Sequence, residues 1–211
     1  MRTRVKICGL TRTRDAVAAV RYGADAIGLV FHPGSPRYVS IDQARRIARS
    51  VAPFVTVTGL FVNAGEDVIR EVLDTVPLGL LQFHGTETND DCRRYGMPFI
   101  KSVAMRKTTD LQARMADFPD AAGFLLDAWQ PRTHGGGGEQ FNWELVPAGI
   151  PYPVILAGGL TPGNVAQAIR QVKPYAVDVS SGVEQEKGIK SAEMILAFIK
   201  GVQQGGTDTV S

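Results

Sequence analysis

Eight short apolar runs recur along the chain, at 4–8, 26–31, 55–62, 78–83, 99–103, 123–126, 154–157 and 176–179. Several are rich in β-branched residues, and most lack the strict apolar/polar alternation of a strand with one wet face. That pattern predicts parallel strands covered on both sides. Between the runs lie stretches with helical spacing and start signals: 16–22 after Thr13-Arg14-Asp15, 41–51 after Ser40, 90–95 after Thr86-Glu87, 163–172 after Thr161-Pro162, and a last one over 191–202. Strand and helix alternate throughout. Dividing the 211 residues by eight leaves about 26 per unit, room for one strand, one helix and two short loops. The fold predicted is α/β, a single (β/α)8 TIM barrel with eight parallel strands, over residues 1–202. An open doubly wound sheet is the alternative. It normally carries GxGxxG after its first strand, whereas the residues after Ile7 are Cys8-Gly9-Leu10-Thr11. Residues 203–211 read as a disordered tail.

Composition narrows the function classes. Lys and Arg number 23 against 21 Asp and Glu, and this near balance lacks the basic stripe that grips nucleic acid. Two cysteines, Cys8 and Cys92, make neither a disulfide framework nor a zinc cluster, which fits a reduced, cytoplasmic chain without a metal. No segment has the length and apolarity of a membrane span or secretion signal. The expected partner is a small molecule.

Barrel chemistry gathers at the C-terminal ends of the strands, so the residues closing each run are the candidates. Gly158-Gly159 after the seventh run and Ser181-Gly182 after the eighth sit where barrels often bind phosphate through main-chain N–H groups. One glycine turn alone would be an ordinary strand-to-helix connection; two at adjacent strand ends favour an anion site. Cys8 ends the first run. It is either a small buried hydrophobe or a thiolate favoured by Lys6, two residues earlier on the same face. Asp127 closes the apolar run Phe124-Leu125-Leu126, where a carboxylate needs a cap, a partner or a chemical task. Facing one another across a barrel mouth, Cys8 and Asp127 make a base and acid pair. Arg37, in a loop of turn formers, is either a solvated loop residue or a clamp for a substrate carboxylate. His84, after the fourth run, reads as a hydrogen-bonded supporting residue rather than a substrate contact. Gly135, Gly136, Gly137 and Gly138 read as a flap, and Cys92 as packing.

The segments VKICGLT at 5–11, GLVFHPGSPRYVS at 28–40, LLQFHG at 80–85, LLDA at 125–128, GGGGEQFNW at 135–143, LAGGLTPGNV at 156–165 and DVSSGVE at 178–184 together resemble the phosphoribosylanthranilate isomerase family of tryptophan biosynthesis. The resemblance runs in order from the first strand to the last. It implies an Amadori rearrangement of N-(5-phosphoribosyl)anthranilate to 1-(2-carboxyphenylamino)-1-deoxyribulose 5-phosphate. Asp127 would protonate the ring oxygen as general acid, and the Cys8 thiolate would take the proton from the second sugar carbon. Arg37 would hold the anthranilate carboxylate, and the Gly158-Gly159 and Ser181-Gly182 backbones the phosphate. No cofactor is implied, since the iminium is its own electron sink. Members of the family commonly carry Ser or Thr where this chain has Gly137, and Asp where it has Asn142. Two further readings stand beside this one: another phosphosugar isomerisation with Asp127 and Asp178 as paired carboxylates, and a non-catalytic phosphoribosyl-binding module. Barrels of this type occur as monomers and homodimers, and the sequence is compatible with a homodimer.

Overall fold

The computed structural model describes residues 2–128 and 141–207. Eight strands close into a barrel in sequence order: β1 (Arg4–Ile7), β2 (Ala26–Val30), β3 (Thr56–Phe61), β4 (Leu80–Phe83), β5 (Phe99–Met105), β6 (Gly123–Ala128), β7 (Val154–Leu156) and β8 (Ala176–Val179). Every neighbouring pair is parallel, including β1 with β8. The helices are α1 (Thr13–Tyr22), α2 (Ile41–Arg49), α3 (Glu66–Thr75), α4 (Asn89–Arg93), α5 (Leu111–Ala116), α6 (Val165–Val172) and α7 (Ala192–Thr207). A small antiparallel hairpin, β9 (Glu184–Glu186) and β10 (Ile189–Lys190), is inserted between β8 and α7. The (β/α)8 barrel expected from the eight runs is therefore the observed fold. None of the described helices is long and apolar enough to cross a membrane.

Strand residues alternate between two environments, as the pleat requires. One set, including Ile7, Ile27, Phe61, Phe83, Phe99 and Phe124, faces the helices and forms the large outer core with α7 residues such as Phe198. The other set fills the barrel. Leu80, Ile100, Leu125, Ile155 and Ala176 form its apolar floor. Cys8, Val30, Leu60 and Val62 pack nearer the mouth. Lys6, Thr58, Gln82 and Asp178 are buried polar residues on the same alternation. A barrel interior that is apolar at one end and polar toward the other directs chemistry to the C-terminal rim.

The local start signals hold in part. Ser40 caps α2 by accepting from Gln43 N at 3.3 Å. The cap of α4 is Thr88, in a reciprocal capping box with Asp91, rather than Thr86-Glu87. Helix α6 starts at Val165, because the Asn164 side chain folds back to accept from Thr161 N and donate to Gly159 O. Between β6 and β7 the described residues contain only a 3-10 turn, Trp143–Leu145, so the barrel is not eight uniform units. The final helix runs on to Thr207, past the boundary at 202 where a tail was expected; Gly201 and Gly205 sit at its close contacts with α6, where a side chain would crowd Val165 and Ala166.

Candidate active site

On one side of the mouth, Cys8 is set by main-chain bonds to both neighbouring strands. Its N–H donates to Val179 O at 2.9 Å, and Gly9 and Leu10 N–H both donate to Gly28 O. Gly28 is required by the sulfur itself, since a Cβ there would stand 2.6 Å from Cys8 Sγ. Gly9 has φ +70, and a side chain on it would overlap Arg37 Cδ and meet Ser180 Oγ. Lys6, two residues before Cys8, is the Cα partner of Asp178 across β1 and β8, and the two side chains form a buried ion pair at 3.0 Å.

Arg37 is buried rather than solvated. Its Nε and Nη2 hold Glu184 through both carboxylate oxygens, at 2.7 and 2.8 Å. Lys190, whose side chain is 0% exposed, donates to the same Glu184 at 2.8 Å and to Ser180 O at 3.0 Å. Burial pushes the Cys8 thiol up; the Lys6 and Lys190 ammonium groups pull it down, Asp178 opposes them, and the thiol ends above its ordinary value. Thus Lys6 acts in the direction expected from the sequence, but burial outweighs it. Burial also presses on Lys6, yet Asp178 and Cys8 hold its pKa above the usual lysine value. Glu184 ends below the usual carboxylate range because Arg37 and Lys190 outweigh its burial.

Across the mouth the surroundings are of another kind. Asp127 is buried, and its Oδ1 accepts from the N–H of Ala128 at 2.8 Å. Its Oδ2 lies 3.4 Å from His84 Nε2. His84 Nε2 is also 3.3 Å from Ser102 Oγ, and its Nδ1 is 3.2 Å from Gln82 Nε2. His84 thus touches Asp127 through Nε2. The loop bearing His84 is fastened from behind: Lys101, 1% exposed, donates to Gly85 O at 2.7 Å and pairs with Glu87 at 2.9 Å.

The glycines of the other two strand ends fit closely. Gly158 has φ +77, and a Cβ on it would stand 2.5 Å from Ala128 N and 2.9 Å from Asp127 Oδ1. Gly159 has φ +66, and Gly182 could carry no side chain without overlapping Leu160 O. Ser181 and Gly182 lie in a 3-10 turn, Ser181–Val183, packed beside the loop after β7. The candidate flap Gly135–Gly138 lies outside the described residues. Asn142 accepts from Glu144 N at 3.1 Å and starts the turn Trp143–Leu145.

The structure therefore gathers Lys6, Cys8, Arg37, Asp178, Ser181 and Gly182 on the β1–β8 side, and His84, Asp127 and Gly158 on the β4–β7 side. Sequence reasoning did not pick out Gly28, Gln82, Ser102, Glu184 or Lys190. Their roles depend on strand register and on the β9–β10 hairpin folding back, signals that no local motif carries. Among the described residues no group of three or more His, Cys, Asp or Glu could hold a metal ion.

A family model described as N-(5'-phosphoribosyl)anthranilate (PRA) isomerase matches residues 5–201. An N-(5'-phosphoribosyl)anthranilate isomerase from Pseudomonas paraeruginosa is 54% identical over 205 residues, covering 97% of each chain. Among solved structures, monomers generated from the dimeric phosphoribosylanthranilate isomerase of Thermotoga maritima match with TM-score 0.83 and 38% identity, over 95% of this chain and 98% of that one. A phosphoribosylanthranilate isomerase in complex with reduced 1-(o-carboxyphenylamino)-1-deoxyribulose 5-phosphate matches with TM-score 0.81 and 39% identity, over the same shares.

Proposed function

The chain belongs to the N-(5'-phosphoribosyl)anthranilate isomerase family of tryptophan biosynthesis, and on that premise we propose that it isomerises N-(5-phosphoribosyl)anthranilate by an Amadori rearrangement in which Asp127 is the general acid and Cys8 the general base. The observation that carries this reading is the placement of a thiol and a carboxylate at opposite sides of one barrel mouth, the thiol beside buried cations and the carboxylate against an imidazole. Asp127 gives a proton to the furanose ring oxygen; the carbon–oxygen bond breaks and the anilino nitrogen's lone pair forms the iminium. Cys8, as thiolate, takes the proton from the second sugar carbon, and that bonding pair neutralises the iminium to give an enolamine. The enolamine tautomerises to the ketone. A general acid or base step of this kind is worth roughly 10²–10⁴-fold in rate.

Substrate anchoring follows from the same rim. The Gly158-Gly159 and Ser181-Gly182 backbones would take the phosphate, where main-chain N–H groups can approach an anion without side chains between. Arg37 would take the anthranilate carboxylate, with Glu184 fixing the plane of its fork. Lys6 keeps Asp178 neutralised, which makes Asp178 a poor second carboxylate for a two-carboxylate isomerase. No cofactor enters, because the substrate's own nitrogen supplies the electron sink.

The related enzyme from T. maritima is described as dimeric, and a homodimer is the assembly proposed for this chain. Phe54, on the N-terminal rim between α2 and β3, is fully exposed, at 105%, and is the apolar group that a second copy would cover. Phe54→Glu is then expected to shift the chain to a monomer in sedimentation; a wild type that is itself monomeric contradicts the assembly. The activity is tested by mixing the protein with enzymatically generated phosphoribosylanthranilate and following its fluorescence. Loss of fluorescence with formation of the carboxyphenylamino ketose supports the reading, and saturable binding without turnover overturns it.

A further inference from the structure

Five charged side chains from five places in the chain are buried around the base. Lys6 on β1 faces Asp178 on β8. Arg37 from the loop after β2 and Lys190 on β10 both face Glu184 at the start of β9. Among the described residues of this cluster, three cations stand against two carboxylates. Buried ion pairs are seldom worth more than well-packed apolar residues would be, so they are weak evidence of a stabilising role. An excess buried cation is costlier still, unless another anion completes the set. The Cys8 thiol is placed to become that anion.

We propose that Lys190 is a positioning residue for the base: its buried ammonium, held by Ser180 and Glu184, supplies the positive charge that the Cys8 thiolate completes. Lys190 Nζ donates to Glu184 Oε1 at 2.8 Å, Ser180 O at 3.0 Å and Ser180 Oγ at 3.2 Å. Ser180 Oγ in turn lies 3.0 Å from the place a Cβ on Gly9 would occupy, so the absence of a side chain on Gly9 lets this arrangement close on the peptide that follows Cys8. The backbone of Lys190 is fixed independently: its N–H donates to Asp15 Oδ2 at 3.1 Å and its carbonyl accepts from Arg12 Nη2 at 3.2 Å. The hairpin is thus attached to α1 without help from the ammonium, which leaves the ammonium available for an electrostatic task. Burial lowers the pKa of Lys190 itself, against Glu184 and the Cys8 thiolate, and its charge favours that thiolate alongside Lys6, against burial and Asp178. Only the effect of Lys190 on turnover rests on the reading of Cys8 as the base.

The test follows the thiolate absorbance of the full chain against pH, read as the difference from a Cys8→Ala counterpart. Cys92 does not interfere, since burial holds its thiol up at about 12. In Lys190→Met the Cys8 midpoint should rise by about one pH unit, leaving about tenfold less thiolate at neutral pH. In Lys190→Arg it should stay near the wild-type value. In Glu184→Gln it should fall, because an opposing negative charge has gone. Turnover of Lys190→Met at neutral pH should drop about tenfold in kcat with little change in KM, and recover as the pH rises. A folded Lys190→Met with an unmoved midpoint overturns the proposal, as do Met and Gln variants that shift it in the same direction. If Lys190→Met does not fold, Glu184→Gln carries the test alone, and a rise there overturns it. A midpoint that moves as expected while kcat does not follow supports the assignment of Lys190 and overturns Cys8 as the base.

Discussion

The two sides of the barrel mouth differ in the physics they present. Around Cys8, on the β1–β8 side, five buried charged groups form two ion-paired clusters. Among the described residues, the close neighbours of Asp127 on the β4–β7 side are a main-chain N–H, an imidazole that in turn meets a serine hydroxyl, and Gly158. A group that must become an anion to take a proton gains from nearby cations. The charged side is the one that suits the base proposed there, Cys8.

The strongest way to break this division is to remove either end of it. Cys8→Ala and Asp127→Asn should each lower kcat/KM by roughly 10²–10⁴-fold with circular dichroism unchanged; steady-state fluorescence kinetics measure this, and near-normal turnover in either variant removes that residue from the chemistry. Lys6→Met sharpens the contrast on the charged side only. It strands Asp178 as a buried, unpaired carboxylate, at a cost of about 3–5 kcal/mol in urea unfolding, and it should raise the Cys8 thiol further. Packing distinguishes the two sides less steeply. Gly28→Ala places a methyl against Cys8 Sγ, and overpacking of this kind costs about 1–3 kcal/mol; thermal unfolding reads it. The smallest effect belongs to His84→Gln, which keeps a donor near Asp127 and should cost less than about tenfold in kcat. A loss as large as that of Asp127→Asn would make His84 the acid instead.

Much of the frame was legible in the sequence because parallel strands buried on both faces must be short and apolar. The run 176–179 coincides with β8, and the ends of the others moved by one or two residues. Helix α3 escaped because its cap is Gly65, which offers no side-chain acceptor; α5 escaped although the Asp110 side chain caps it, since only six residues follow that cap. Cys8 and Lys6 could be placed together, since residues two apart share a strand face. The partner of Lys6 could not, because Asp178 lies 172 residues away and meets it only through the closure of β1 on β8. Arg37 was legible as a charge in a turn-rich loop, but not as the buried partner of Glu184. Lys190 looks in sequence like one more surface lysine after Glu186-Lys187-Gly188. Only the hairpin's attachment to α1 turns it inward.

In the proposed reaction, catalysis waits on a Cys8 thiolate, and burial holds the thiol above its ordinary value. The direct test is to measure kcat/KM against pH beside the thiolate absorbance of the same protein. A thiol with a raised pKa is largely protonated at neutral pH, so kcat/KM should climb with pH and share its midpoint with the thiol titration. A rate that stays flat while the Cys8 absorbance titrates would contradict the account.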